Sequence, residues 1–183
     1  MTSTPDRRAL GAAVCLALAA LALPAWQQGA AAPAQAGELV EKARGALRRG
    51  DPLGAEITLG NAPAAGATRA EVAAYMGGAL LDQDRPAVAR GWLGPQRFSP
   101  ASAAVGFRAL ARLERVAGNL PGAGAAFDKA IALTPDDAGM WVEIGRLRYA
   151  GGEHLLAIEA ADRALGLDPK NVRAPEFRGQ SVG

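Results

Sequence analysis

The sequence predicts an all-α protein in which antiparallel helix pairs repeat along the chain. Three observations support this fold class. Small apolar residues return with a constant period, about a quarter of the 183 residues are alanine, and only 5% are aromatic. Sandwiches and barrels favour β-branched and aromatic residues in alternation, so the composition excludes them. An apolar content of 50% also argues against intrinsic disorder.

Two series of small residues define the period. Two helices can cross closely only where small side chains meet, with larger apolar residues beside them. In each repeat a small residue in the first helix is followed, twelve residues later, by an alanine in the second helix. The pairs are Ala43 and Ala55, Gly77 and Ala89, Ala111 and Ala123, and Gly145 and Ala157. The sequence therefore predicts four helix pairs in phase.

Prolines and glycines predict where the helices end. Pro135 and Pro169 each stand two residues after an apolar residue, where they stop a helix. The predicted pairs are 37–49 and 52–60, 70–83 and 86–93, 103–117 and 120–133, and 137–150 and 153–167. Breaker residues at 60–63 and 94–96 lengthen the first two connections, so we expect the first half to be looser.

The third and fourth repeats resemble the tetratricopeptide repeat family. The residues that carry the resemblance are Phe107, Leu110, Ala111, Ala123, Phe127, Ala130 and Pro135 in the third repeat, and Trp141, Ile144, Gly145, Tyr149, Ala157, Ala164 and Pro169 in the fourth. The resemblance covers about residues 37–179 and implies a short right-handed α-solenoid. Its repeats would be 37–69, 70–103, 104–137 and 138–171, with 172–183 as the start of an incomplete fifth repeat or a frayed tail.

Residues 1–36 have the pattern of a targeting segment. Arg7 and Arg8 precede an uncharged, largely apolar run from Ala9 to Trp26. This pattern is typical of a secretory signal peptide, and cleavage options with small residues follow at 32–34 and 34–36. An uncleaved membrane anchor with a linker is the alternative. Either interpretation predicts an exported protein, periplasmic or anchored in the inner membrane of a bacterium and facing the periplasm.

The chain contains no recognisable catalytic or metal-binding motif. Cys15 is the one cysteine and His154 the one histidine, which excludes a disulfide framework and a cysteine- or histidine-rich metal centre. There is no Ser-His-Asp set, and the paired glycines lack the lysine of a phosphate-binding loop. The sequence therefore predicts no enzyme activity, no cofactor and no metal.

Arginines on the first helices are the candidate binding residues. Arg108, Arg112 and Arg115 are spaced by four and three residues, which places them on one helical face. The resemblance implies that the first helices line a concave groove, and a guanidinium prefers planar anions such as carboxylates. The predicted groove residues are Arg44, Arg48, Arg108, Arg112, Arg115, Val142, Arg146 and Tyr149. The alternative is a solvated surface neutralised by neighbouring glutamates such as Glu143.

The leading functional hypothesis is a non-enzymatic scaffold outside the cytoplasm that binds an acidic or carboxylate-bearing peptide or protein segment. The alternatives are a self-associating structural repeat module, which would form a homo-oligomer, and an N-terminal fragment of a longer repeat protein. Nucleic-acid binding is opposed by the export pattern and by a formal charge of only +2, from 20 basic and 18 acidic residues.

Overall fold

The computed structural model describes residues 25–170, which form eight α-helices and one short 3-10 helix, with no strand in that range. The α-helices are α1 (Ala25–Arg48), α2 (Pro52–Asn61), α3 (Arg69–Asp82), α4 (Pro86–Leu93), α5 (Ala103–Val116), α6 (Leu120–Leu133), α7 (Ala138–Ala150) and α8 (His154–Leu167), and the 3-10 helix is Ala62–Ala65. The predicted all-α repeat fold is confirmed. Every predicted helix end lies within one residue of the observed end except the start of α1.

Helix α1 begins twelve residues earlier than predicted and runs through the segment assigned to targeting. Residues 25–36 are rich in alanine, the strongest helix former, and the helix continues through Pro33. Ala36 is 5% exposed and belongs to the main core, so packing extends one residue before the predicted boundary at 37. The predicted cleavage options at 32–36 lie inside this helix. Arg7, Arg8, Cys15 and the predicted tail 172–183 lie outside the described residues.

The small residues of the period lie where each helix pair crosses. The four alanines of the second helices, Ala55, Ala89, Ala123 and Ala157, are completely buried, as are Ala43 and Ala111 in the first helices. In the second pair a Cβ added to Gly77 would overlap the side chain of Leu93. A larger side chain at this crossing would have to displace Leu93, so glycine fits there without rearrangement.

The same turn joins the two helices of every pair. Gly50, Asp84, Gly118 and Gly152 occupy equivalent positions one period apart, and all four have positive φ values between 56° and 77°. The residue after each turn donates its N–H to a carbonyl five residues back, as in Asn119 to Glu114 at 2.8 Å. This is the helix-ending arrangement in which one residue must adopt the left-handed conformation, which glycine does without steric cost.

The first half has a well-buried core despite its long connections. Leu59, Val72, Leu80 and Leu93 are all fully buried, and one core cluster runs from Ala36 to Ala160. The 3-10 helix takes up most of the first connection. In the second connection the N–H of Ser99 donates to the carbonyl of Ala70 at 2.9 Å, which holds that segment against α3.

The repeated turn makes a testable prediction about stability. Gly118→Ala should destabilise the protein by about 1 kcal/mol, because alanine is strained at positive φ. Asp84→Gly at the equivalent turn should change the free energy of unfolding by less than about 0.5 kcal/mol, because the relief of strain offsets the greater freedom of the unfolded chain. Urea unfolding of both variants measures this, and equal losses would contradict the account.

Candidate functional site

The four first helices lie side by side, joined by contacts of their charged side chains. The Arg44 guanidinium on α1 lies 5.6 Å from the ring centre of Tyr75 on α3. Arg112 on α5 reaches back to Asp82 on α3, with Nη2 and Oδ1 2.7 Å apart. A third contact, from Arg108 on α5 to Glu143, ties α5 to α7. We call the exposed surface of α1, α3, α5 and α7 the first-helix face.

An open cleft of about 220 Å³ lies at the α5–α7 end of this face. Three of the predicted arginines come together in it, with one carboxylate and one aromatic ring. The lining residues are Arg112, Arg115, Phe127, Glu143 and Arg146. Phe127 on α6 is only 2% exposed and contributes an apolar wall. Three guanidinium groups and one carboxylate line the cleft, and guanidinium groups favour planar anions.

Arg108 is held by internal carboxylates. Its Nε and Nη2 donate to Glu143 Oε1 at 3.1 and 2.5 Å, and its Nη1 donates to Asp137 Oδ2 at 3.4 Å. Burial disfavours the charged form of Arg108, but the hydrogen bonds and charges of the two acids outweigh it and raise its pKa above the ordinary value. Each of its three nitrogen atoms donates to one of these two acids, so Arg108 mainly joins two repeats.

Glu143 holds negative charge beneath the cleft. Its Oε1 accepts from Arg108, whereas Oε2 is buried and has no hydrogen-bond partner among residues 25–170. A buried carboxylate oxygen without a partner is costly unless nearby cations offset it. Arg112, Arg115 and Arg146 line the same cleft and supply that offset. The glutamate in turn favours the charged arginines at this end of the face.

The other predicted arginines differ in the ion pairs and hydrogen bonds that they form. Arg44 forms an ion pair with Glu41, and this hydrogen bond, with a smaller effect of Tyr75, raises the pKa of Arg44. Arg48 and Arg115 are exposed, and neither side chain forms a hydrogen bond or ion pair within the part of the chain that the structure describes. Arg115 is therefore the clearest candidate for contact with a ligand, because it lies in the cleft and has no internal carboxylate.

Two predicted apolar groove residues belong to the core. Val142 is 2% exposed and packs with Ala161 and Ala164 of α8, because its side of α7 faces the partner helix. Tyr149 is half-buried against the same cluster, with its ring 5.0 Å from the ring of His154 in an edge arrangement. Both residues pack within the fourth pair, and the burial of Val142 shows that its prediction as a groove residue is wrong.

Two residues of the face were not predicted from the sequence. Asp82 pairs with Arg112 of the following repeat, and Gly78 leaves an open position on α3. The repeat period could have indicated Gly78, because it is equivalent to Arg44, Arg112 and Arg146 in its own repeat. Phe127 on α6 lies under the cleft, whereas the sequence identified it only as a residue of the repeat pattern.

The described part of the chain shows neither a metal site nor a membrane helix. Between residues 25 and 170 no three His, Cys, Asp or Glu side chains converge as metal ligands would. Within the same range no helix combines the length and the apolar character needed to cross a membrane.

Comparison with solved structures defines the class of fold. Neither the protein-family models nor the curated protein sequences yield a match to this chain. A crystal structure of MamA is 24% identical, covers 76% of this chain and 81% of its own, and has a TM-score of 0.62. The Cut9–Hcn1 hetero-tetramer of APC/C is 15% identical over 79% of this chain, with a TM-score of 0.69.

A tetratricopeptide repeat protein from Parabacteroides merdae is 20% identical over 80% of this chain, with a TM-score of 0.55. This chain spans 61% of that protein and 29% of the Cut9–Hcn1 chain that it matches. The fold is therefore of the tetratricopeptide repeat type, as the resemblance implied.

The different roles of two arginines can be tested by mutation. Arg108→Met should destabilise the protein by about 1–2 kcal/mol, because it leaves Glu143 half-buried without its partner. Arg115→Met should cost less than about 0.5 kcal/mol, because the exposed side chain has no internal partner. Urea unfolding measures both free energies, and a loss on Arg115→Met as large as that on Arg108→Met would contradict these roles.

Proposed function

We propose that this protein is a non-enzymatic scaffold that binds an extended acidic segment of a partner protein on its first-helix face. The cleft between α5 and α7 is the anchor of the site. The observation that carries the proposal is the convergence of Arg112, Arg115 and Arg146 on one open cleft. The repeat fold supports the choice of a protein partner, because such folds present extended binding surfaces.

The chemistry of the cleft favours carboxylates. A guanidinium offers paired N–H donors that match the two oxygens of a carboxylate, and it is less strongly hydrated than an ammonium group. The cleft is open and lies on a face formed by four parallel-stacked first helices, so it suits an extended chain. A nucleic acid is disfavoured because the chain carries a formal charge of only +2.

We place the scaffold outside the cytoplasm, in the periplasm or anchored in the inner membrane of a bacterium. The support for this part of the proposal is the sequence pattern of Arg7 and Arg8 followed by the apolar run 9–26. An oxidising compartment is compatible with a repeat region that contains no cysteine.

Self-association is the second candidate function. Leu53 and Ile57 lie one turn apart on α2 and are 58% and 60% exposed, while Leu155 on α8, three periods after Leu53, is 79% exposed. Exposed apolar residues near both ends of a repeat array suit contacts between copies. This function would appear as a concentration-dependent mass in sedimentation.

A peptide titration with matched charge variants tests the acidic-segment proposal. The probe is an acetylated and amidated peptide of alternating glutamate and serine, seven residues long, and the same peptide with lysine is the control. The full-length chain should bind the glutamate peptide with a Kd of about 100 µM or lower, and it should show no saturable binding of the lysine peptide.

Arg115→Glu should weaken binding of the glutamate peptide by about tenfold or more, because it replaces a favourable ion pair by a repulsive one. Arg163→Glu changes the net charge by the same amount on α8, and it should alter the Kd by less than about twofold. Equal losses in both variants, or no binding of the glutamate peptide to the unmodified protein, would contradict the proposal.

A further inference from the structure

One position on the first-helix face breaks its row of arginines. Arg44, Gly78, Arg112 and Arg146 are each one period apart and occupy the same position in α1, α3, α5 and α7. Three of the four first helices therefore have a long cation there, and α3 has no side chain at all. An interior glycine costs a helix about 1 kcal/mol relative to alanine, so its own helix does not favour Gly78.

The space above Gly78 is open. Among residues 25–170, a Cβ built on this residue would meet no atom within 4 Å outside its own helix backbone and chain neighbours, whereas one on the adjacent Gly77 would overlap Leu93. Gly77 suits the crossing with α4, but packing within the described range gives no such reason for Gly78. The nearest positions on the same side of α3 are Ala74, Tyr75, Leu81 and Asp82, so the surroundings of Gly78 are mostly apolar.

Charged side chains border this opening on both sides. Arg44 extends from α1 over Tyr75, and Arg112 on α5 pairs with Asp82 at the last turn of α3. Packed helices lie roughly 8–10 Å apart, so α1 and α5 are separated by about 16–20 Å. An extended peptide covers that distance in about five or six residues. The opening can therefore receive one large side chain from a segment whose ends reach both arginines.

We propose that the opening at Gly78, which we call the Gly78 gap, receives a large apolar side chain of the bound acidic segment. This inference rests on the proposed function and specifies which sequence pattern of the bound segment the first-helix face recognises. The bound segment has a large apolar residue with acidic residues on both sides of it. The carboxylates interact with Arg44 on one side and with the cleft of Arg112, Arg115 and Arg146 on the other, and burial of the apolar side chain adds affinity.

Two synthetic peptides test this pattern on the full chain. One is Glu-Glu-Ser-Phe-Ser-Glu-Glu and the other has glycine in place of phenylalanine, both acetylated and amidated. Each sequence reads the same in both directions, so the chain direction of binding does not affect the comparison. The unmodified protein should bind the phenylalanine peptide at least about fivefold more tightly than the glycine peptide. Equal affinities would overturn the inference.

Gly78→Leu fills the gap and should abolish the preference for phenylalanine while changing the Kd of the glycine peptide by less than about twofold. Gly124→Leu is the matched control, because Gly124 is an interior glycine of α6 with no atom within 4 Å of an added Cβ. This control should keep the fivefold preference. Retention of the preference in Gly78→Leu would overturn the inference.

A third variant separates filling of the gap from damage to the fold. Gly78→Arg completes the arginine row and should remove the preference for phenylalanine while tightening the glycine peptide by about threefold. A preference that survives in this variant would also overturn the inference. If the unmodified protein binds neither peptide, the proposed function fails, whereas binding of both with equal affinity overturns only the Gly78 gap.

Discussion

The rest of the structure depends on the close crossing of two helices at small residues, repeated four times. Ala55, Ala89, Ala123 and Ala157 are completely buried at these crossings, and Gly77 leaves no room for a side chain opposite Leu93. Each crossing fixes the rotation of the two helices about their own axes. It therefore also determines which side of the first helix faces away from the second. The arginine positions of the first-helix face follow from this rotation.

The charges of the first-helix face fall into two groups with different physical roles. Arg108 and Arg112 form ion pairs with carboxylates of neighbouring repeats and so connect α3, α5 and α7. Arg115 lies in the cleft with an exposed side chain and no such partner in the described range. Residues that look equivalent along one helix therefore divide into those that join repeats and those that are open to a ligand.

The sequence predicts the helices well because their ends depend on local features. Turn glycines, prolines and small residues repeat with the period, so helix ends fall within one residue. The start of α1 is the exception, because residues 25–36 have helix propensity but none of the repeating pattern. Val142 is misplaced by the sequence because spacing shows which residues share a helical face but not which face meets the partner helix.

Pairs between repeats could not be predicted in the same way. The partner of Arg112 is Asp82, which lies earlier in the chain on another helix, and their distance depends on how successive repeats stack. Glu143 is a candidate neutralising residue in the sequence, yet its partner Arg108 becomes evident only from the geometry. Local sequence thus predicts the scaffold and the arginines of the first helices, while the partners of those arginines require the three-dimensional structure.

We infer that one side of each first helix packs in the core and the other side is open to a partner. The adjacent glycines of α3 lie on these two sides, so the free energies of unfolding of Gly77→Leu and Gly78→Leu distinguish them. We predict a loss of about 2 kcal/mol or more for Gly77→Leu, because the new side chain collides with Leu93. For Gly78→Leu we predict no loss, or a gain of up to about 1 kcal/mol. Equal destabilisation by the two variants would contradict this inference.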